Sequence, residues 1–180
     1  APVIDTVNNK LLVAVADNTV TPDQASLYVC NLDGSNCAVK DISVGQGQNS
    51  GLYPSIAIDP TGHVTTAADG PKGFRCALDG TGCTYHDLST GHYGTLTSAA
   101  VDAVANKLYV AAQDSSTKLA LYRCELDGSA CAYVDMSGGH PNASGGTPSM
   151  VIDPTNQRLL VATIDGSNGY KPALFALSLW

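Results

Sequence analysis

Charge is scarce in this chain. Lys, Arg, Asp and Glu make up 14% of its 180 residues, against roughly a quarter in ordinary globular domains. Glu125 is the sole glutamate. Basic residues are outnumbered, 9 Lys and Arg against 16 Asp and Glu for a formal charge of -7, and the lysines are scattered. A chain without a basic stripe cannot neutralise a phosphate backbone, so nucleic acid is excluded as an expected partner. No apolar run nears the roughly 20 residues of a membrane span, so no membrane insertion is expected. The Glu-poor, Gly-rich composition is also poor material for helices.

Short catalytic motifs are missing as well. There is no Gly-x-Ser-x-Gly elbow, His-Glu-x-x-His pair or Gly-rich phosphate loop. Of the 4 His, two lie in repeated loops, His86 on a strand and His63 in a turn, so no nucleophile and base can be paired. No stretch spaces its acidic residues as a calcium loop with a terminal Glu does. A glycosidase needs only two carboxylates, but the many Asp fall at repeat-equivalent positions and read first as turn formers. The expectation is a protein that is not an enzyme, with no catalytic residue, no metal site and no cofactor.

What the chain does have is one segment written three times. Cys30 to Cys37, Cys76 to Cys83 and Cys124 to Cys131 each read Cys-x-Leu-Asp-Gly-(Ser/Thr)-x-Cys. Asp-Gly lies midway between each pair of cysteines, and Asp-Gly between strand-like runs is a strong hairpin signal. The hairpin sets the two sulfurs of each pair opposite each other, which predicts the disulfides Cys30–Cys37, Cys76–Cys83 and Cys124–Cys131. Zinc ligands are usually spaced two to four apart and no His lies within any copy, which argues against a metal site. Three disulfides place the protein in an oxidising compartment, secreted, extracellular or at the cell surface. The start at Ala1-Pro2-Val3 reads as a mature chain whose leader has been removed.

Each cysteine hairpin follows two further apolar stretches that end in Asp. The first set is Val3 to Asp5, Ser55 to Asp59, Ala99 to Asp102 and Ser149 to Asp153; the second is Lys10 to Asp17, His63 to Asp69, Lys107 to Asp114 and Arg158 to Asp165. One repeat is therefore four short strands, a to d, and strand d closes on Asp-apolar-Ser. The Ala-rich Thr97 to Ala105 could pass for helix, but its counterpart Ser149 to Asn156 carries Pro154 and argues for strand. Four-stranded units of this length predict an all-β fold, a β-propeller of four antiparallel blades whose last blade lacks its outer strand. The repeats fall at about 1–46, 47–92, 93–144 and 145–180 of a single domain spanning 1–180.

Pro54-Ser55-Ile56-Ala57-Ile58-Asp59-Pro60, with a second strand ending in Asp69 and then Leu78-Asp79-Gly80-Thr81, resembles the YWTD repeat of LDL-receptor-type propellers. Leu108-Tyr109-Val110-Ala111 is similar to the Tyr-Val-Thr-Asn element of bacterial surface propellers. The resemblance implies an extracellular binding or surface-layer role and carries no catalytic residues with it.

In the fourth repeat Leu177 stands where the first hairpin cysteine stands in the others, and the unpartnered strand bears Leu174, Phe175, Leu177, Leu179 and Trp180. An apolar edge without charge is a template for pairing with another chain. This predicts a homo-oligomer or polymer, a structural or interaction protein that self-assembles through β-edges into a filament or surface layer. The alternative is a carbohydrate-binding propeller of lectin type. Its glycan would sit on the face of the d-to-a loops, with Gln46, Tyr53, His92, Tyr93 and His140 as ligand residues. Asn142-Ala143-Ser144 is a formal N-glycosylation sequon.

Overall fold

The computed structural model describes residues 1–19, 23–46, 52–138, 146–166 and 169–179. Every extended element in them is a strand, and the strands form four antiparallel sheets that follow one another along the chain. The first sheet holds β1 (Pro2–Asp5), β2 (Lys10–Asp17), β3 (Gln24–Asn31) and β4 (Ala38–Asp41) in sequence order. The second holds β5 (Ser55–Ile58), β6 (His63–Ala68), β7 (Lys72–Ala77) and β8 (Thr84–Asp87). The third holds β9 (Gly94–Asp102), β10 (Lys107–Asp114), β11 (Leu119–Glu125) and β12 (Ala132–Asp135). The fourth has three strands, β13 (Gly146–Asp153), β14 (Arg158–Asp165) and β15 (Lys171–Ser178). The Ala-rich stretch around residue 100 is strand β9, so its position in the repeat, and not its composition, sets its conformation.

Each sheet packs on the next through its innermost strand, β1 to β5, β5 to β9 and β9 to β13, which is propeller-type packing. Three apolar layers fill the spaces. Leu12, Ala14 and Leu27 of the first sheet meet Ile56, Val64 and Phe74 of the second. Ala67 and Leu88 of the second meet Leu108, Val110 and Tyr122 of the third. Tyr109, Ala111 and Leu121 of the third meet Leu159, Val161 and Phe175 of the fourth. The period of two along each strand sends neighbouring residues into different layers.

Aspartate makes the turns. Asp5, Asp59, Asp102 and Asp153, each ending or just following the first strand of its sheet, accept hydrogen bonds from backbone amides two to four residues on. At the hairpin tips Asp33, Asp79 and Asp127 take both the amide and the hydroxyl of Ser35, Thr81 and Ser129. The outer strands end the same way, Asp41 on Ser43 and Asp135 on Ser137. A short carboxylate that satisfies its own turn explains why this chain uses Asp and almost no Glu.

The cysteines pair within each hairpin, Cys30–Cys37, Cys76–Cys83 and Cys124–Cys131, with Cα atoms 4.0 to 4.1 Å apart. That separation fits the non-hydrogen-bonded type of cross-strand pair, in which side chains approach most closely. Each staple closes a short loop and contributes about 2 to 3 kcal/mol in the chain-entropy account. Two of the tips also touch the preceding sheet. A Cβ on Gly80 would lie 2.8 Å from Cβ and Cγ of Lys40 on β4, and one on Gly128 would lie 3.0 Å from Cβ of His86 on β8.

Gly34 and Gly80 share a positive φ, +80° and +78°, but nothing lies within 4 Å of a Cβ on Gly34. Gly34→Ala should therefore lose only the left-handed penalty of about 1 to 2 kcal/mol. Gly80→Ala should lose measurably more, because its methyl collides with the stem of Lys40. Thermal unfolding of the two variants side by side tests this; equal losses would show that the tip does not bear on the preceding sheet.

Candidate functional site

On the face where strand b ends and strand a begins, the innermost strands of three sheets frame one cavity. It measures ≈ 240 Å³ and is lined by Tyr53 and Pro54, Leu96 and Thr97, and Thr147 and Pro148. These are the same two positions of three successive repeats: Tyr53-Pro54-Ser55, Leu96-Thr97-Ser98 and Thr147-Pro148-Ser149. The first residue of each pair holds a left-handed backbone, with φ of 48° at Tyr53, 56° at Leu96 and 51° at Thr147. At Leu96 and Thr147 that conformation coincides with a break of register in β9 and β13. Bulges of this kind turn side chains out of the sheet's alternation. Left-handed non-glycine residues also carry strain that persists only where the surroundings enforce it.

Side-chain bonds hold the frame together where neighbouring inner strands cannot share a ladder. The Thr97 hydroxyl lies 3.1 Å from the Tyr53 carbonyl, 2.9 Å from the Ala67 carbonyl and 3.2 Å from the Ser55 hydroxyl. Between the third and fourth sheets the Met150 amide donates to Ser98 Oγ at 3.1 Å. Asp69 is buried and accepts the Leu96 amide at 2.9 Å. Burial raises its carboxyl above the ordinary value, outweighing the Leu96 amide and the charge of Lys72.

The four aspartates expected at the ends of strand b thus have different duties. Asp17 takes the amide and hydroxyl of Thr19. Asp69 ties the second sheet to the third. Asp114 accepts from Ser116, Lys118 and the Tyr133 phenol, and Asp165 is buried. No group of three or more metal-ligating side chains occurs among the described residues.

The expected ligand residues are only partly brought together. Tyr53 stands on the rim, 58% exposed. Tyr93 is as exposed, at 57%, and lies beside Gly70 and Lys72. Gln46 sits in the turn after β4, where its backbone N–H donates to the Ser43 carbonyl. His92 is stacked on Tyr133, with centroids 3.8 Å apart and planes 8° from parallel, and its carbonyl accepts the Tyr122 phenol at 3.0 Å. Burial, then the hydrogen bond to Asp114, pushes the Tyr133 phenol up to about 12. His140 and Asn142 lie outside the described residues, as does Trp180. On β15 Leu174 points outward, whereas Phe175 and Leu177, and Leu179 just after the strand, turn inward to the layer against the third sheet.

Leu96, Thr97, Thr147 and Pro148 were not among the residues expected here. Their signal was present in the sequence as a tripeptide ending in Ser that recurs at the start of strand a. It lacks charge and aromatic character in two of the three copies, and only the bulges reveal that it faces a cavity.

One buried ion pair stands apart from the cavity. Asp59 accepts two hydrogen bonds from Arg75, at 3.0 and 2.7 Å, besides those of its turn. Burial works to raise its carboxyl, but the bonds from Thr61, His63 and Arg75 prevail and hold it below the ordinary value.

The chain matches no protein-family model and no curated protein. Solved structures resemble it at the level of fold. A protein of unknown function from Bacteroides caccae aligns with a TM-score of 0.64 and 14% identity over 99% of this chain and 62% of that one. The α-L-arabinofuranosidase PaAbf62A from Podospora anserina, crystallised with cellotriose, gives 0.61 and 10% over 97% and 62%. A thermostable family-43 glycoside hydrolase gives 0.54 and 12% over 98% and 69%. The chain spans less than two thirds of the length of the first two. The expectation of a non-catalytic protein is corrected here: the fold it shares houses glycoside hydrolases, and carboxylate chemistry on separate strands needs no linear motif. Nothing in these likenesses speaks for a self-assembling filament.

Two carboxyl groups should give opposite pH responses. Asp59, depressed from 3.8, contributes stability that is present above pH 3.8 and is lost as pH falls through its lower native value. Asp69, raised from 3.8, contributes fully below pH 3.8 and loses its contribution as pH rises through its higher native value. Asp69→Asn should therefore flatten the decline above pH 3.8 and raise stability at neutral pH, whereas Asp59→Asn should lower it. Urea unfolding across pH 2 to 7 measures both, and a parent curve that Asp69→Asn leaves unchanged counts against the burial argument.

Proposed function

We propose that this is a secreted, carbohydrate-handling propeller that receives a saccharide in the cavity framed by Tyr53, Leu96, Thr97 and Thr147. One observation carries the reading: three sheets present repeat-equivalent, left-handed residues to a single cavity, with an exposed tyrosine on its rim. A sugar offers an apolar face to an aromatic ring and hydroxyls to neighbouring polar groups. Tyr53 supplies the ring, and Thr147, from the fourth sheet, supplies a hydroxyl among the lining residues. The likeness to an arabinofuranosidase and a family-43 hydrolase supports the substrate class as an analogy of fold. The three disulfides fit an extracellular protein meeting extracellular glycan.

A second reading, glycoside cleavage, is favoured by Asp69. A buried carboxyl raised above its ordinary value and bonded to the amide of Leu96, a residue of the cavity lining, has the character of a general acid. Asp165, its counterpart in the fourth sheet and also buried, is the carboxylate to pair with it.

Titration with cello- and arabino-oligosaccharides should show saturable binding that Tyr53→Ala weakens by about threefold to tenfold, the value of one aromatic contact. No binding to any oligosaccharide would remove the proposal. Release of reducing ends by the parent and not by Asp69→Asn separates cleavage from binding alone.

A further inference from the structure

Every internal layer among the described residues joins two different faces, and among those residues each outermost sheet leaves one such face uncovered. On the second to fourth sheets, the face toward the preceding sheet carries a fixed pattern. In the third sheet it is Leu108, Val110 and Tyr122, all fully buried, with Leu108 paired to Cys124 and Val110 to Tyr122. The first sheet repeats those pairs as Leu11 with Cys30 and Val13 with Tyr28. Yet there Ile4 is 56% and Val39 51% exposed, and Tyr28 is exposed too. This front face has the composition of a layer, and among the described residues no sheet lies against it.

The opposite face behaves likewise. In the first and third sheets the face toward the following sheet is Leu12, Ala14 and Leu27, or Tyr109, Ala111 and Leu121, all nearly or fully buried, with Ala14 paired to Leu27 and Ala111 to Leu121. In the fourth sheet the same register pairs Ala162 with Leu174 and Leu160 with Ala176. On this back face Val151 is 58% and Leu174 68% exposed, with Ala162, Ile164 and Ala176 also open to solvent. The hairpin tips repeat the message: Gly80 and Gly128 lie against the preceding sheet, while nothing lies within 4 Å of a Cβ on Gly34.

We propose that the back of the fourth sheet docks on the front of the first sheet of a second copy of this chain, continuing the layer that joins consecutive sheets within it. The second copy is the fitting occupant because these two faces are the two halves of one interface already formed three times inside the molecule. The contact is head-to-tail: it uses different surfaces on the two partners, unlike a twofold-symmetric patch. It buries the apolar side chains that a monomer leaves in water. It engages the faces of the outer sheets, so the inward-turned Phe175, Leu177 and Leu179 stay in the core.

Head-to-tail pairing has a signature that sedimentation velocity can read. Val39→Lys blocks the front and Leu174→Lys the back, at side chains exposed enough to leave the core intact, which circular dichroism confirms for each variant. The parent should associate with rising concentration, and each variant alone should stay monomeric. An equimolar mixture of the two should recover a two-chain species, because the intact back of one fits the intact front of the other. A parent that is monomeric up to millimolar concentration overturns the proposal, showing that something other than a second copy, such as further sheets of a longer polypeptide, belongs on these faces. Association that survives either substitution, or a mixture that stays monomeric, overturns it equally.

Discussion

The architecture depends on each sheet being apolar on both faces. A sheet with one wet face could end a stack but could not sit within one. In β6 and β10 both residue parities are apolar or small, so each strand serves two layers at once, as the alternate burial of Leu108 against the second sheet and Tyr109 against the fourth illustrates. The layers are built largely of Ala, Val and Leu. Between the innermost strands, where backbone ladders end, hydroxyls such as Thr97 and Ser98 make the connections.

Local chemistry supports that stack without forming it. Aspartate closes nearly every tight connection on itself, and the disulfides lock three hairpins whose outer strands are only four residues long. Short outer strands bury little, so a covalent link within the hairpin compensates for packing they lack. Most of the acidic residues are consumed in this way. Asp69 departs from the pattern, reaching across to accept the Leu96 amide of the next sheet while buried.

A cavity bounded by three repeats inherits their equivalence but not their symmetry. Tyr, Leu and Thr occupy the same backbone position, so the rim is aromatic on one side, aliphatic on another and hydroxylic on the third. Such inequality on a repeated frame is how a propeller acquires a directional site. The expectation of a protein that is not an enzyme rested on linear motifs, and a group of residues gathered from separate strands leaves no such trace in the chain.

Much of the fold was legible from the residues alone. The Asp-Gly hairpins, their disulfides, the order of strands and the grouping into four sheets all follow from contacts between residues close in sequence, whose geometry is set by turn chemistry and the period of two. Even the ends of β2, β10 and β14 fall where the sequence places them. Long-range relations were another matter. That Phe175, Leu177 and Leu179 face inward while Leu174 faces out, that His92 lies stacked on Tyr133, and that Leu96 and Thr147 turn toward one cavity each depend on bulges and on which sheet lies opposite. Those are consequences of packing between distant segments, and only the tertiary structure decides them, because the same alternation of side chains is compatible with either face until a neighbouring sheet claims one.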